Sequence, residues 1–177
     1  MMRSAKVVVA DPRPLLTLAK LGALDSLFAL REDAQVVVTD YAEFESTRRH
    51  AENPESAEIP DFLSQNSARI EIESTGLGES YKAMFLLTER LANEPALAAE
   101  LGLDVKFPDD PGDMSIIQYV RNSGSTEPVL MLVDDDYFRR EISPLSAHIQ
   151  VVSTSALIND WSHRSTGQAA STSSARL

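Results

Sequence analysis

Cysteine is absent from this 177-residue chain. That excludes a disulfide framework and any thiolate metal site. It also suits a reducing cytosol, so a cytoplasmic location is the expectation. Long apolar runs are missing too: none approaches the roughly 18 residues that a bilayer span requires, and no membrane association is expected. The opening stretch MMRSAKVVVADPRP has too short an apolar segment for a signal peptide. Positive charge is scarce, with 16 Lys and Arg against 27 Asp and Glu and a formal net charge of −11. A chain this acidic does not hold nucleic acid strongly without specificity, which argues against a plain DNA- or RNA-binding module. It does not exclude a nuclease, whose bound metal cancels charge locally, and it fits a protein that meets a basic partner.

Other signatures are also lacking. There is no GxxxxGK[ST] phosphate loop, and Gly76-Leu77-Gly78 lacks the strand that a nucleotide fingerprint needs. His50, His148 and His163 are scattered, with no zinc spacing and no nucleophile arranged beside them. The chain is long enough for one α/β domain with a real core and short for two. Its 43% apolar and 24% charged residues are ordinary for a globular protein.

What the chain does have is a set of acids placed after apolar runs. Lys6 to Ala10 reads KVVVA and stops at Asp11. Gln35 to Thr39 reads QVVVT and leads through Thr39 or Asp40, both good helix caps, into a helical stretch carrying Glu45. Val129 to Val133 reads VLMLV and stops at Asp134, Asp135 and Asp136. Short β-branched or aliphatic runs bounded by polar residues predict buried parallel strands. In open α/β sheets ligands bind beyond the carboxyl ends of the strands. Carboxylates delivered there from distant parts of one chain form a like-charged cluster, which a hard divalent cation neutralises best. The pattern therefore points to a carboxylate metal site and to phosphodiester chemistry.

Between these runs the sequence predicts helices. Leu15, Leu18 and Ala19 keep helical spacing behind Pro12 and Pro14, and Leu24, Leu27, Phe28 and Leu30 predict a second short helix. A helix is predicted over about 41–50, a further turn over 60–65, and a half-exposed strand over 69–73. Two helices, 79–91 and 94–101, form a pair, and Asp113 opens another with Ile116, Ile117 and Val120 as its stripe. After the aspartate triplet come a short helix over about 137–141 and a last strand over 149–152. Strands alternating with helices predict a three-layer α/β/α domain around a mostly parallel sheet of four or five strands. It covers residues 1–161 with a helical insertion over about 76–106, and a Ser/Thr-rich flexible tail follows over 162–177.

Each acid also has a plainer reading. Asp11 suits a helix N-cap or turn. Glu45 and Glu43 point about 200° apart on a helix, so only one of them faces the site, and either suits a solvated helix surface. Asp113 sits where a carboxylate favours the helix dipole. Three adjacent acids after a buried strand cost stability unless solvated or bound to a cation, so at least one of Asp134, Asp135 and Asp136 is expected to face a metal.

The order of these segments resembles the PIN-domain nucleases, including the toxin halves of bacterial toxin–antitoxin pairs. VVVADPRPLLTLAKLGALDSL resembles that family's opening strand, first aspartate and following helices. VVVTDYAEFES resembles its second strand and glutamate-bearing helix, with Glu45 in the matching place. DDPGDMSIIQYV puts Asp113 in the third acidic position, and VLMLVDDDYFRR, counted back from Phe138, selects Asp135. IQVVSTSALI is similar to the closing strand and turn. The likeness covers roughly the first fifty residues and about 107–160, and the longer middle reads as a family-specific insertion. Two positions depart from the pattern. Pro12-Arg13-Pro14 replaces the small hydroxyl residue common after the first aspartate, and Val133 stands where Thr or Ser often sits.

The resemblance implies metal-assisted hydrolysis of RNA. Asp11, Glu45, Asp113 and Asp135 would be catalytic. Asp11, Asp113 and Asp135, with Asp134 and Asp136 beside them, would hold one or two Mg²⁺ or Mn²⁺, about 3.5–4 Å apart if two are present. Arg48, Arg49, Arg139 and Arg140 would steer the RNA backbone, or else serve as solvated helix ends. An antitoxin partner is implied, and so is a homodimer through the apolar faces at 15–30 or 84–101. Two other readings stay open. One is a binding module that keeps the fold without turnover, motivated by the departures beside Asp11 and Asp135. The other is a phosphohydrolase with an aspartyl nucleophile, which usually wants Asp-x-Asp where this chain has Asp11-Pro12-Arg13.

Overall fold

Val7, Val8 and Val9 are all buried, as are Val36, Val37 and Val38. Successive side chains of a strand point to opposite faces, so such runs need both faces covered. The computed structural model describes residues 6–29, 34–48, 54–102, 110–123, 128–135, 140 and 147–173. Its strands are β1 (Lys6–Val9), β2 (Gln35–Thr39), β3 (Ile70–Glu73), β4 (Val129–Leu132) and β5 (Ile149–Val152). Its α-helices are α1 (Pro12–Lys20), α2 (Asp40–Arg48), α3 (Glu58–Gln65), α4 (Leu77–Asn93), α5 (Pro95–Leu101), α6 (Pro111–Asn122) and α7 (Thr154–Ser173). Tight 3₁₀ turns occupy Leu24–Phe28 and Pro54–Ala57.

All five strands are parallel, in the order β3-β2-β1-β4-β5. The expected three-layer α/β/α architecture is therefore present, with the segment at Ile70 supplying the fifth strand at one edge. Alternation sorts the core into two layers. Val7, Val9, Val36, Val38 and Leu132 pack with Leu15, Leu18, Leu27, Ile59 and Leu157 from α1, the following turn, α3 and α7. Val8, Ala10, Val37, Met131 and Val133 pack on the opposite face with Ile116 and Tyr119 of α6. The chain winds outward from β1 through β2 to β3, then returns to lay β4 on the other side of β1. The reversal leaves a crevice between β1 and β4 at their carboxyl ends.

Expectation and structure part in several places. On the apolar face at 15–30, Leu15, Leu18, Leu24 and Leu27 are buried in the core, and among the described apolar residues only Leu21 is exposed. Those four buried leucines are not free for a partner. The inserted pair is α4 and α5, and α4 buries only Gly78 and Tyr81, leaving Leu86, Leu87 and Leu101 exposed. The stretch from Ser162 onward was expected to be a flexible tail, but α7 runs on to Ser173. Once its first turns are nucleated against the core, each added residue needs only propagation. The helix expected over about 137–141 lies almost wholly outside the described residues. Among the described residues no helix is long and apolar enough to cross a membrane.

The insertion is clamped to the start of α2 through Asp40. Asp40, at the start of α2, accepts hydrogen bonds from the Thr75 amide (3.1 Å), the Thr75 hydroxyl (2.6 Å) and the Gly78 amide (3.1 Å). Gln118 of α6 donates to the Thr75 carbonyl at 3.0 Å, so three helices meet at Thr75. Gly78 lies so close to α2 that a Cβ there would run into the Asp40 carbonyl and the Tyr41 amide. That obstacle is backbone and has nowhere to go. Gly78→Ala is therefore expected to cost about 1–3 kcal/mol, the range for forced overpacking. Urea unfolding checks it; a variant as stable as the parent would show that α4 does not dock this closely.

Candidate active site at the β1–β4 crevice

Val9 pairs with both Val38 and Leu132, so β1, β2 and β4 end level with one another. Two residues further on, each strand delivers an aspartate: Asp11, Asp40 and Asp134. Neighbouring parallel strands are about 4.8 Å apart, so each of these charges needs its own compensation. Asp40 has the Thr75 and Gly78 donors and also accepts from the Tyr41 amide at 3.0 Å. Asp134 accepts from the Thr154 amide (2.8 Å) and the Thr154 hydroxyl (2.9 Å), placing its charge at the positive end of α7. Both oxygens of Asp134, which is expected beside the metal, are thereby engaged at the start of α7.

Asp11 is compensated differently. It N-caps α1, accepting from the Arg13 amide at 2.7 Å, with Pro12 and Pro14 fixing the first turn. The Arg13 guanidinium folds back over the same carboxylate. Nε lies 3.1 Å from Oδ1 and 3.0 Å from Oδ2, and Nη2 lies 2.7 Å from Oδ2. Asp113, in the first turn of α6, stands with Oδ1 3.9 Å from Nη2, and Asp135 with Oδ2 3.9 Å from Nη1. Three acids from three distant segments thus surround one guanidinium. The last two distances are too long for hydrogen bonds and are charge attraction alone. The Asp11 side chain is 3% exposed, those of Asp113 and Asp135 31% and 38%, and that of Arg13 50%. The Asp11 hydrogen bond, followed by the charges of Asp11, Asp135 and Asp113, raises the Arg13 pKa against the opposing effect of burial.

The scaffold behind this cluster is close-fitting. Thr39 and Ser115 share a buried 2.9 Å hydrogen bond that ties the end of β2 to α6. Gly112 brings the start of α6 against Asp11, where a Cβ would stand 2.8 Å from Oδ2. Tyr41 closes one wall of a recess of about 230 Å³ that Asp11, Arg13, Asp113 and Asp135 also line. Burial first, then the charges of Glu45 and Asp11 among others, pushes the Tyr41 phenol well above its usual range.

The donor set suits a hard divalent cation in kind: carboxylate oxygens, collectively trianionic, gathered round a point that already holds a positive charge. As arranged, however, Arg13 engages both oxygens of Asp11. Among the described residues no group of three His, Cys, Asp or Glu is placed to hold a metal ion. The cluster fits a metal in chemistry and charge only with Arg13 withdrawn.

The other expected site residues are placed as follows. Glu45 is buried on α2, and Arg48 forks its carboxylate through Nε (2.6 Å) and Nη2 (2.8 Å). The Arg48 guanidinium also lies 4.5 Å from the Phe85 ring centre, so the side chain expected to steer RNA is engaged within the fold. Glu43 faces a separate groove with Phe44, Ile72 and Lys82. Arg140 is exposed. Arg49, Asp136, Arg139 and the Phe138 used to count the register lie outside the described residues. Sequence reasoning missed three participants. Arg13 was read only as a departure from a pattern, although an arginine two residues after an N-capping aspartate is within reach of it. Asp40 follows β2 as Asp11 follows β1, a repeat visible in the sequence, but Thr75 carries no local signal. Compared with family models, curated proteins and solved structures, the chain finds no match.

Burial raises the Asp113 pKa, with Arg13 opposing and Asp110, Asp135 and Asp11 adding to the rise. Between the usual aspartate range and that raised value, the folded state holds a proton that the unfolded chain has released. Stability from this group therefore grows as pH falls through that window, and its penalty is complete at neutral pH. Asp113→Asn is expected to leave stability at pH 7 equal or higher by less than about 1 kcal/mol. The difference should close once both states of the parent are protonated in acid. Paired thermal melts at neutral and acidic pH check it; a parent clearly more stable than the variant at pH 7 would mean that attraction to Arg13 outweighs burial.

Proposed function

We propose that this chain is a metal-dependent phosphodiester hydrolase acting on RNA, with Asp11, Asp113 and Asp135 as the acids that hold the metal. The convergence of those three carboxylates at the crevice where the strand order reverses carries the reading. The order of acids along the chain, which resembles the PIN-domain pattern, supports it independently. Asp11, fixed by its cap and by two prolines, is the rigid member. Asp113 and Asp135 are partly exposed and open the cluster toward a substrate. Bound Mg²⁺ or Mn²⁺ would supply an activated water and stabilise charge on the phosphate. With a net charge of −11 the chain repels a polyanion at long range, so RNA must approach where that cluster has been neutralised. Glu45, held by Arg48, supports the α2 wall of the site. A cytoplasmic toxin paired with an antitoxin belongs to the same proposal.

The test is cleavage of single-stranded RNA by purified protein with Mg²⁺ or Mn²⁺, abolished by EDTA. Asp11→Asn, Asp113→Asn and Asp135→Asn should each lower the rate by about 10–100-fold or more. Asp134→Asn should lower the melting temperature while the folded fraction still cuts. Ca²⁺ should bind and support little turnover, because its looser geometry serves in-line attack poorly. One observation favours a second reading, a binding module without turnover: Arg13 engages both Asp11 oxygens. No cleavage with either metal would select it.

Homodimerisation is assigned in this proposal to α4 and α5, where Leu86, Leu87 and Leu101 are exposed. Light scattering should find a dimer at tens of micromolar and a monomer for Leu86→Glu/Leu87→Glu; a monomeric parent rejects it.

A further inference from the structure

We propose that Arg13 is a resident counter-ion of the carboxylate cluster, one that a divalent cation must displace in order to bind. The inference rests on the metal reading above and adds a control built into the same site.

The hydrogen-bonding capacity of Asp11 is the first argument. Its two oxygens receive four contacts from Arg13: the amide and Nε on Oδ1, Nε and Nη2 on Oδ2. A carboxylate offers about four lone-pair sites, so little of Asp11 is left for a metal while the guanidinium stays. The second argument is burial. With its side chain 3% exposed, Asp11 has almost no water to solvate it, and a cation of some kind must remain beside it. The third is the way out. Half of the Arg13 side chain is exposed, so the guanidinium reaches solvent by rotating its own bonds. The amide bond to Oδ1 belongs to the backbone and keeps Asp11 oriented throughout. The last argument is charge. Among three carboxylates a divalent ion supplies one more positive charge than the guanidinium it replaces. Exchange therefore runs toward the metal when metal is abundant and toward Arg13 when it is scarce.

The interactions of Asp113 and Asp135 fit this role. Each lies 3.9 Å from a guanidinium nitrogen without bonding to it, so neither has to break a hydrogen bond when Arg13 leaves.

The experiment measures Mn²⁺ binding by the loss of the free-ion electron paramagnetic resonance signal, together with thermal melts with and without Mn²⁺. The proteins are the full-length parent, Arg13→Gln, Arg13→Lys and Asp11→Asn. Arg13→Gln should melt lower than the parent without metal and bind Mn²⁺ at least about 10-fold more tightly, equivalent to about 1.4 kcal/mol. Its melting temperature should also rise more on adding Mn²⁺. Arg13→Lys keeps the charge and loses the fork, so it should fall between the two; it gives the reading if Arg13→Gln fails to fold. Asp11→Asn should bind least. If Arg13→Gln binds Mn²⁺ no more tightly than the parent while Asp11→Asn loses binding, the displacement proposal is overturned and the metal site stands. If neither the parent nor Arg13→Gln nor Arg13→Lys takes up Mn²⁺, the metal reading falls and this inference falls with it.

Discussion

The structure turns on the compensation of negative charge at the carboxyl end of one sheet. Parallel strands that end level put the residues following them side by side, and here β1, β2 and β4 each put an aspartate there. Adjacent like charges in a partly buried place are tolerated only when each has donors or a counter-ion of its own. Much of the surrounding architecture follows from how the three are satisfied. Asp40 draws in the insertion through Thr75 and Gly78. Asp134 anchors the closing helix through Thr154. Asp11 is met instead by an arginine two residues away.

That difference separates scaffold from site. The donors to Asp40 and Asp134 are amides and hydroxyls on packed elements, which cannot leave without unfolding something. The partner of Asp11 is the end of a long side chain half in solvent. Of the three carboxylates, the one neutralised by a half-exposed side chain faces the crevice where the chain reverses its strand order and where Asp113 and Asp135 also arrive. Glu45 and Arg48 repeat the pairing of an acid with a nearby arginine inside the fold. There the guanidinium is also packed on Phe85, so the pair is a fixture.

The acidity of the chain bears on the same point. At −11 it has little unspecific hold on a polyanion, and any action on RNA depends on local neutralisation at the site. The positive charge that the fold itself places there is Arg13. The apolar residues left exposed on α4 and α5 lie on helices that supply no residue to either core cluster.

Much of the fold was legible because burial on both faces forces a strand to read as an unbroken apolar run. KVVVA, QVVVT and VLMLV announce buried parallel strands, and each is followed by an acid. The edge strand at Ile70 was readable from alternation, and the helices from proline, caps and spacing. The sequence by itself determined the class of sheet, the end of it at which the acids collect, and the excess of negative charge to be compensated there. Only the tertiary structure decided which partner each acid receives. The relative placement of Asp11, Asp113 and Asp135 depends on strand order and on how closely Gly112 lets α6 approach, and neither is a local property. Thr75 and Thr154 were invisible as donors because they lie 35 and 20 residues from the carboxylates they serve. Arg13 was in view from the start as the neighbour of Asp11. Its place among three carboxylates was not, because hydrogen bonding and charge select a rotamer only once the fold has brought the other two acids within reach.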